Sequence, residues 1–197
     1  MLFRSLVVGG DLEAGQAQML GHLGIAPERL LKVDLDRVYR FRQLWVPAQL
    51  VDRMRLHPGA IEWMHARIAR PGQCVRRMFI SRRDAARRRL VNEDEIIEIV
   101  SAHGFEIVLP AMLNQVDQAR LFTEAASVIG VAGAGLTNML FAPTGATLIE
   151  LHNFEKGAEF FRRLCAQRDQ RYARVWGELL PAPDIPPNHY EIGRAHV

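Results

Sequence analysis

The 197-residue chain has only two cysteines, Cys74 and Cys165, and only two lysines among its 25 basic residues. Two cysteines cannot form a disulfide framework, and their spacing matches no metal-ligand motif. No apolar run approaches the ~20 residues of a membrane-spanning helix, and the N-terminus lacks a signal-peptide pattern. We therefore expect a reducing compartment and a cytoplasmic location, with peripheral attachment to the inner membrane as an alternative.

The sequence also lacks a strong excess of charge of either sign. It has 25 basic and 22 acidic residues, and its formal net charge is +3. The arginines are spread along the chain except between Arg76 and Arg89, so the sequence does not indicate a nucleic-acid-binding surface. Hydrophobic residues make up 49% of the chain and charged residues 24%, which is typical of a folded globular protein.

From about residue 77, short apolar segments alternate with amphipathic ones. Such alternation predicts an α/β fold: a Rossmann-like parallel sheet with flanking helices and right-handed crossovers. The predicted strands span residues 78–81, 105–109, 127–132, 146–151 and 172–176. Two predicted helices begin after Asn92 and Asn114. Two further helices are predicted at residues 136–141 and 155–168.

The helix boundaries are predicted from capping residues. Asn92 and Asn114 stand where an N-cap is expected, each with an acidic residue three positions later. Gly104 is placed to end the first of these helices. Ala125 and Ala126 continue the apolar spacing of the second helix, so the pattern assigns them to its buried face.

Residues 1–70 are less regular. We predict short strands at 5–9, 30–33 and 43–46 and helices at 12–23 and 58–68. This part is interpreted as the remnant of an N-terminal domain and a connector, preceding a truncated Rossmann-like domain at 71–191. Residues 192–197 match one translated frame of a common sequencing adapter, so we expect the native sequence to break off near Tyr190.

Residues with binding chemistry follow three of the predicted strands. Arg82 follows the first, the turn Gly133-Ala134-Gly135 follows the third, and Glu150 ends the fourth. Ligands of open parallel sheets bind beyond the carboxyl ends of the strands. Glycines and the amides of a helix start can approach a phosphate, arginine matches phosphate oxygens, and a carboxylate can accept bonds from ribose hydroxyls. Together they predict a nucleoside-diphosphate site, to which Asn138 could add a polar contact.

Further polar residues near these strand ends are assigned a secondary place at the site: Ser81, Arg88, Arg89, Asn92, Glu93 and His152. Each has a plain structural interpretation as well. Helix capping accounts for Asn92 and Glu93, and the arginines suit a solvated loop.

Two alternatives remain open on these residues. A dinucleotide-binding oxidoreductase would need G-x-G-x-x-G, whereas Asn138 gives G-x-G-x-x-N. Glu150 follows Gly135 by 15 residues, where that fingerprint expects about 20, and the intervening helix is short. The second alternative is a non-catalytic module that binds a sugar nucleotide.

Several motifs together carry a family resemblance. They are Phe79-Ile80-Ser81-Arg82, an arginine at 88 or 89, Asn92-Glu93, the trio Gln118, Phe122 and Ala125, and Gly133-Ala134-Gly135-Leu136-Thr137-Asn138 followed by Phe141, Gly145 and Glu150. In order and spacing, residues 77–151 resemble glycosyltransferase family 61.

The resemblance implies the C-terminal, donor-binding half of a GT-B enzyme that transfers a sugar with inversion from a nucleotide sugar, usually a UDP-sugar, to a hydroxyl acceptor. Bacterial members are linked to capsular or other surface polysaccharides. Carried over by position, Arg82 and the 133–138 turn hold the diphosphate and Glu150 holds the ribose. The nucleotide sugar is a substrate, and no cofactor or metal is implied.

The chain departs from the family pattern at Ala132. The family usually has a histidine immediately before Gly-Ala-Gly, and alanine cannot donate a hydrogen bond from its side chain. His152 is a neighbour that could substitute. The catalytic base of such two-domain enzymes often comes from the N-terminal domain, so the sequence assigns none.

Overall fold

The computed structural model describes residues 5–46, 51–52, 55–68, 73–85, 90–152, 159–179 and 192–195. Its N-terminal elements are β1 Leu6–Gly9, α1 Ala14–His22, β2 Leu30–Val33, β3 Val51–Asp52, β4 Arg55–Leu56 and α2 Pro58–Ile68. The following elements are β5 Arg76–Ile80, α3 Glu93–Ala102, β6 Glu106–Val108, α4 Gln115–Phe122, β7 Ala125–Val131, a 3-10 helix Ala134–Phe141, β8 Thr147–His152, α5 Phe160–Gln167, β9 Arg171–Leu179 and β10 Ile192–Ala195.

One sheet organises the part of the chain after residue 75. Its strand order is β10-β9-β8-β7-β5-β6, and β5 to β9 all pair in parallel. The predicted α/β fold with a Rossmann-like parallel sheet is therefore confirmed. The antiparallel edge strand β10 falls in the tail that we expect to be non-native, and its origin stays a prediction.

The strand order creates a switch point in the sheet. Counted along the chain from β5, the parallel strands lie in the order 2-1-3-4-5, which is one of the two common doubly wound arrangements. The connection after β5 leads to β6 on one side, and the connection after β7 leads to β8 on the other. Right-handed crossovers in opposite directions lie on opposite faces, so a crevice is expected above the ends of β5 and β7.

The two faces of the sheet are covered unequally. On one face, Met78, Val128 and Leu148 pack against α2, α4, α5 and the 3-10 helix in the larger buried cluster. On the other face, Phe79 and Val131 pack against α3 in the smaller one. Because parallel partners share a face, this division follows directly from the register.

Most predicted elements are confirmed, and two predictions were wrong. Residues 43–46 form no strand, since they pair with no strand among the described residues. Ala125 and Ala126 do not continue α4: that helix ends at Phe122, and both alanines lie in β7, where Ala125 pairs with Arg76. Residues 155–158 of the predicted 155–168 helix lie outside the described residues, and α5 covers Phe160–Gln167.

Of the two predicted asparagine N-caps, one makes capping hydrogen bonds and the other does not. Asn114 Oδ1 accepts hydrogen bonds from the amides of Val116 and Asp117, at 3.0 and 2.9 Å, so its predicted capping role is confirmed. Asn92 stands at the N-cap position of α3 but makes no capping bond, because its backbone (φ −104°, ψ 36°) is not extended. Gly104, with φ +76°, ends α3 as predicted.

Candidate functional site

A pocket of about 190 Å³ opens at the switch point. It lies where β5 and β7 end, beside the loop after β6, and is lined by Ile80, Ser81, Arg82, Asp84, Ala85, Pro110, Ala111, Val131, Gly135 and Leu136. The lining is mainly apolar with a few polar groups, as is common in small-molecule sites. The predicted strand-end residues Arg82 and Gly135 therefore share one cavity.

Arg82 lies directly against Gly133. A Cβ atom added to Gly133 would stand 2.5 Å from Arg82 Nη1. The backbone of Gly133 is extended, with φ 179°, so the glycine is needed here for space and not for conformation. This contact brings a guanidinium group to the first residues of the 3-10 helix, whose leading amides have no acceptors within the helix.

The end of β5 is held by a buried carboxylate. Ser81 Oγ donates a hydrogen bond of 2.5 Å to Glu93 Oε1, and the Arg82 amide donates one of 3.1 Å to the same oxygen. Glu93 and Ser81 are 5% and 1% exposed. Two residues that the sequence assigned a secondary place at the site thus bond to each other, and Glu93 also bonds the backbone amide of Arg82.

Asn138 and Gln118 connect the glycine turn to the neighbouring loop. Asn138 Nδ2 donates to Gln118 Oε1 and to Gly135 O, both at 3.2 Å. Gln118 Nε2 donates to the carbonyl oxygens of Pro110 and Leu113 at 2.9 and 3.1 Å. Gln118 therefore joins two walls of the pocket. The sequence signalled it only as a polar residue within α4 that matched a motif, and assigned it no role.

Glu150 belongs to a buried polar cluster on the neighbouring strands. Its Oε2 accepts hydrogen bonds from the Tyr172 hydroxyl and, at 3.4 Å, from Arg174 Nη2. Its Oε1 lies 3.1 Å from His152 Nδ1. Burial, and then the bond to Glu150, raises the pKa of Tyr172. Glu150 is only 1% exposed, so the cluster, and not solvent, surrounds the carboxylate that the sequence assigned to ribose.

The cluster is tied to the elements around it. Burial, followed by the charge of Glu150, raises the pKa of the Cys165 thiol in α5 to about 12. Tyr172 and Arg174 pair in register with Leu148 and Glu150. Sequence reasoning missed both, although polar residues two apart in a predicted strand were a signal that one face was not purely apolar.

His152 lies beside the position where the chain departs from the family pattern. Val131 pairs with Leu151, and the ladder continues with a 3.1 Å bond from Ala132 N to Leu151 O. The next residues, Ala132 and His152, therefore lie side by side and on the same face. The imidazole of His152 also meets the ring of Trp176 edge-on.

The remaining predicted site residues take several positions. Ala134 is exposed, Thr137 is half-buried and Leu136 is buried. Arg83, to which the sequence assigned no binding role, is an exposed neighbour of Arg82 and pairs with Asp94. Arg88 and Arg89 lie outside the described residues. The ligand-binding roles assigned to the other residues stay predictions.

The described residues contain neither a cluster of metal-ligand side chains nor a candidate membrane-spanning helix. No set of three histidine, cysteine or acidic side chains there is arranged to bind a metal ion. No helix in those ranges combines the length and hydropathy needed to cross a bilayer.

Comparison with known proteins gives consistent matches. The sequence pattern of the family described as Glycosyltransferase 61 matches residues 13–149. An EGF domain-specific O-linked N-acetylglucosamine transferase of Drosophila melanogaster is 31% identical over 130 residues, which cover 64% of this chain and 24% of the fly protein. The alpha-1,3-arabinosyltransferase XAT3 of Oryza sativa subsp. japonica is 41% identical over 78 residues, or 38% of this chain and 13% of the rice protein.

A Mus musculus protein with the same name as the fly one is 33% identical over 84 residues, which cover 40% of this chain and 16% of the mouse protein. The chain thus spans about a quarter or less of the length of these relatives. All three are eukaryotic.

Proposed function

The chain belongs to glycosyltransferase family 61, and from this premise we propose that its parallel sheet binds the nucleotide-sugar donor of a glycosyltransferase. The observation that carries the proposal is the contact between Arg82 and Gly133 at the switch point of the sheet. A cation beside the start of a helix in an open crevice suits a diphosphate. The pocket between Ile80, Pro110 and Leu136 lies next to this contact.

The finer assignment follows the family resemblance. The donor is a UDP-sugar, and the protein of which this chain is part has a GT-B architecture with the acceptor in the cleft between two domains. Transfer inverts the anomeric centre and serves capsular or other surface polysaccharide synthesis in a bacterium. The location is cytoplasmic, with attachment to the inner membrane as the alternative.

The proposed reaction is a direct displacement. An acceptor hydroxyl attacks the anomeric carbon of the sugar and loses its proton to a general base, while the bond from that carbon to the diphosphate oxygen breaks. Arg82 and the leading amides of the 3-10 helix stabilise the negative charge that develops on the leaving diphosphate. In this proposal the described residues contribute to donor binding and leaving-group stabilisation, and no residue is assigned as the base.

Glu150 is assigned to the ribose in this proposal, and that assignment requires the cluster around it to open. Tyr172 and Arg174 would exchange their bonds to Glu150 for bonds elsewhere. His152, beside Ala132, takes the place of the family histidine near the diphosphate. The 3.1 Å separation of His152 Nδ1 and Glu150 Oε1 supports a fixed orientation of the imidazole.

Calorimetric titration of the chain with UDP, uridine, GDP and NAD tests the donor site. We expect Arg82→Ala to weaken UDP binding about tenfold or more, because a charge-assisted bond to phosphate is lost, and to leave uridine binding unchanged. Arg83→Ala is the matched control and should bind UDP like the wild type, since Arg83 pairs with Asp94.

Other outcomes of the same titration separate the alternatives. Tight binding of NAD with none of UDP or GDP would favour the oxidoreductase. Binding of no nucleotide would contradict a donor site in this chain. Equal losses of UDP and uridine affinity in Arg82→Ala would contradict the role of Arg82.

A further inference from the structure

Glu93 is a buried carboxylate whose position needs an explanation. It is the first residue of α3 and is 5% exposed. A carboxylate at a helix N-terminus is favoured by the helix dipole, but Asp94 and Glu95 in the same turn are exposed and supply that interaction without leaving water. Because burying a charge is costly unless hydrogen bonds replace its hydration, the dipole does not account for the burial of Glu93.

The bonds of Glu93 point to one feature, the end of β5. Its Oε1 accepts from Ser81 Oγ at 2.5 Å and from the amide of Arg82 at 3.1 Å. Ser81 Oγ in turn accepts from the amide of Arg83 at 3.3 Å. The carboxylate and the hydroxyl together therefore hold two consecutive amides just after the strand ends.

These bonds act at the place where the Arg82 side chain leaves the backbone. The direction of that side chain depends on the orientation of the peptide on either side of it. The guanidinium group at the end of that side chain lies against Gly133. A small change in the turn at 81–83 would be multiplied along the long arginine side chain before it reaches the glycine turn.

We propose that Glu93 is a positioning residue, which acts through Ser81 and the Arg82 amide to hold the Arg82 guanidinium over Gly133 for a diphosphate. The inference rests on the proposed donor site and assigns Glu93 no contact with the donor. Preorganised charge of this kind binds phosphate more strongly than a mobile side chain does.

The test compares Glu93→Gln with Asp94→Asn in the whole chain. Both changes remove one negative charge from the first turn of α3, but only the first alters the bonds to Ser81 and Arg82. UDP and uridine are titrated by calorimetry, and exchange of the Arg82 amide hydrogen is followed by NMR without ligand. We expect Glu93→Gln to weaken UDP binding about fivefold, because the glutamine oxygen accepts the same bonds without the charge assistance of the carboxylate, with uridine affinity unchanged and faster Arg82 exchange.

Asp94→Asn should match the wild type in all three measurements, because the ion pair with Arg83 that it removes is exposed and contributes little. Ser81→Ala serves as a second variant in case Glu93→Gln does not fold, which thermal unfolding would reveal. We expect about threefold weaker UDP binding for Ser81→Ala, because Glu93 keeps its bond to the Arg82 amide.

The outcomes separate the two proposals. A wild-type chain that binds no UDP overturns the donor site itself. A wild-type chain that binds UDP, with a folded Glu93→Gln or Ser81→Ala that binds it equally well and exchanges the Arg82 amide no faster, overturns only the positioning role. Equal losses of UDP and uridine affinity would show that Glu93 contacts the nucleoside, which also overturns it.

Discussion

Strands β1 and β2 and strands β5 to β9 all pair in parallel, yet they differ in what packs against them. In the sheet of β5 to β9, Met78, Phe79, Val128 and Leu148 have no exposed surface. In the described residues 5–46, no side chain is classed as buried.

The difference shows that a segment can form regular secondary structure without forming a hydrophobic core of its own. Residues 5–46 form a strand pair and a helix, and Met19 of that helix and Leu23 just after it pack against the larger core cluster. A two-stranded sheet by itself is marginal in water. We conclude that this segment depends on the parallel sheet for its stability, whereas the parallel sheet carries its own core.

The largest expected effect is a loss of stability on substitution in the core of the parallel sheet, and it tests that conclusion. Phe79→Ala removes a side chain with no exposed surface and should lower the free energy of unfolding by about 3–5 kcal/mol. Val38→Ala, at a fully exposed position of the N-terminal segment, should change it by about 0.5 kcal/mol or less. Urea unfolding followed by tryptophan fluorescence measures both. Similar losses in the two variants would contradict the comparison.

The next effect separates ligand binding from stability within the sheet region. Gly133→Ala places a Cβ atom 2.5 Å from Arg82 Nη1. The end of a flexible side chain can move away, so we expect about 1 kcal/mol or less in stability but about tenfold weaker UDP binding. Gly21→Ala is the matched control in α1, where the new atom meets nothing within 4 Å. If Gly133→Ala binds UDP like the wild type, the Arg82–Gly133 contact does not serve binding.

The smallest effect compares the helix starts of the two regions. Asn114→Ala removes two bonds to amides at the start of α4 and should cost about 1 kcal/mol. Gln16→Ala removes the 3.0 Å bond from the exposed Glu13 amide in α1 and should cost less than about 0.5 kcal/mol, since water replaces it. Thermal unfolding measures both, and a larger loss for Gln16→Ala would contradict the ranking.

The sequence predicted the parallel sheet well because its strands are buried and short. Short apolar runs such as Met78-Phe79-Ile80 and Thr147-Leu148-Ile149 are typical of strands that are covered on both faces, as in a parallel sheet. Errors arose where local pattern and tertiary pairing disagree. Ala125 and Ala126 have a high helix propensity, but Ala125 pairs with Arg76 in the sheet, and no local signal carries that information.

The site was predictable as a set of strand ends but not as a set of contacts. Arg82 and the glycine turn could be brought together by the rule that parallel strands end on one edge. The bond between Ser81 and Glu93, and the link from Gln118 to Asn138, depend on how α3 and α4 pack on the sheet. Glu150 shows the same limit, because its partners Tyr172 and Arg174 come from a strand whose register the sequence did not specify.

The chain leaves β5 and β7 toward opposite sides of the sheet. This has a consequence for how the sequence around the crevice can change. No connection has to pass over the crevice between them, so the crevice is set by strand order and persists whatever the surrounding loops contain. Insertions or substitutions in those loops can reshape what the crevice accepts without loosening the sheet. The ligand selectivity of the crevice can therefore change during evolution while the sheet that forms it stays the same.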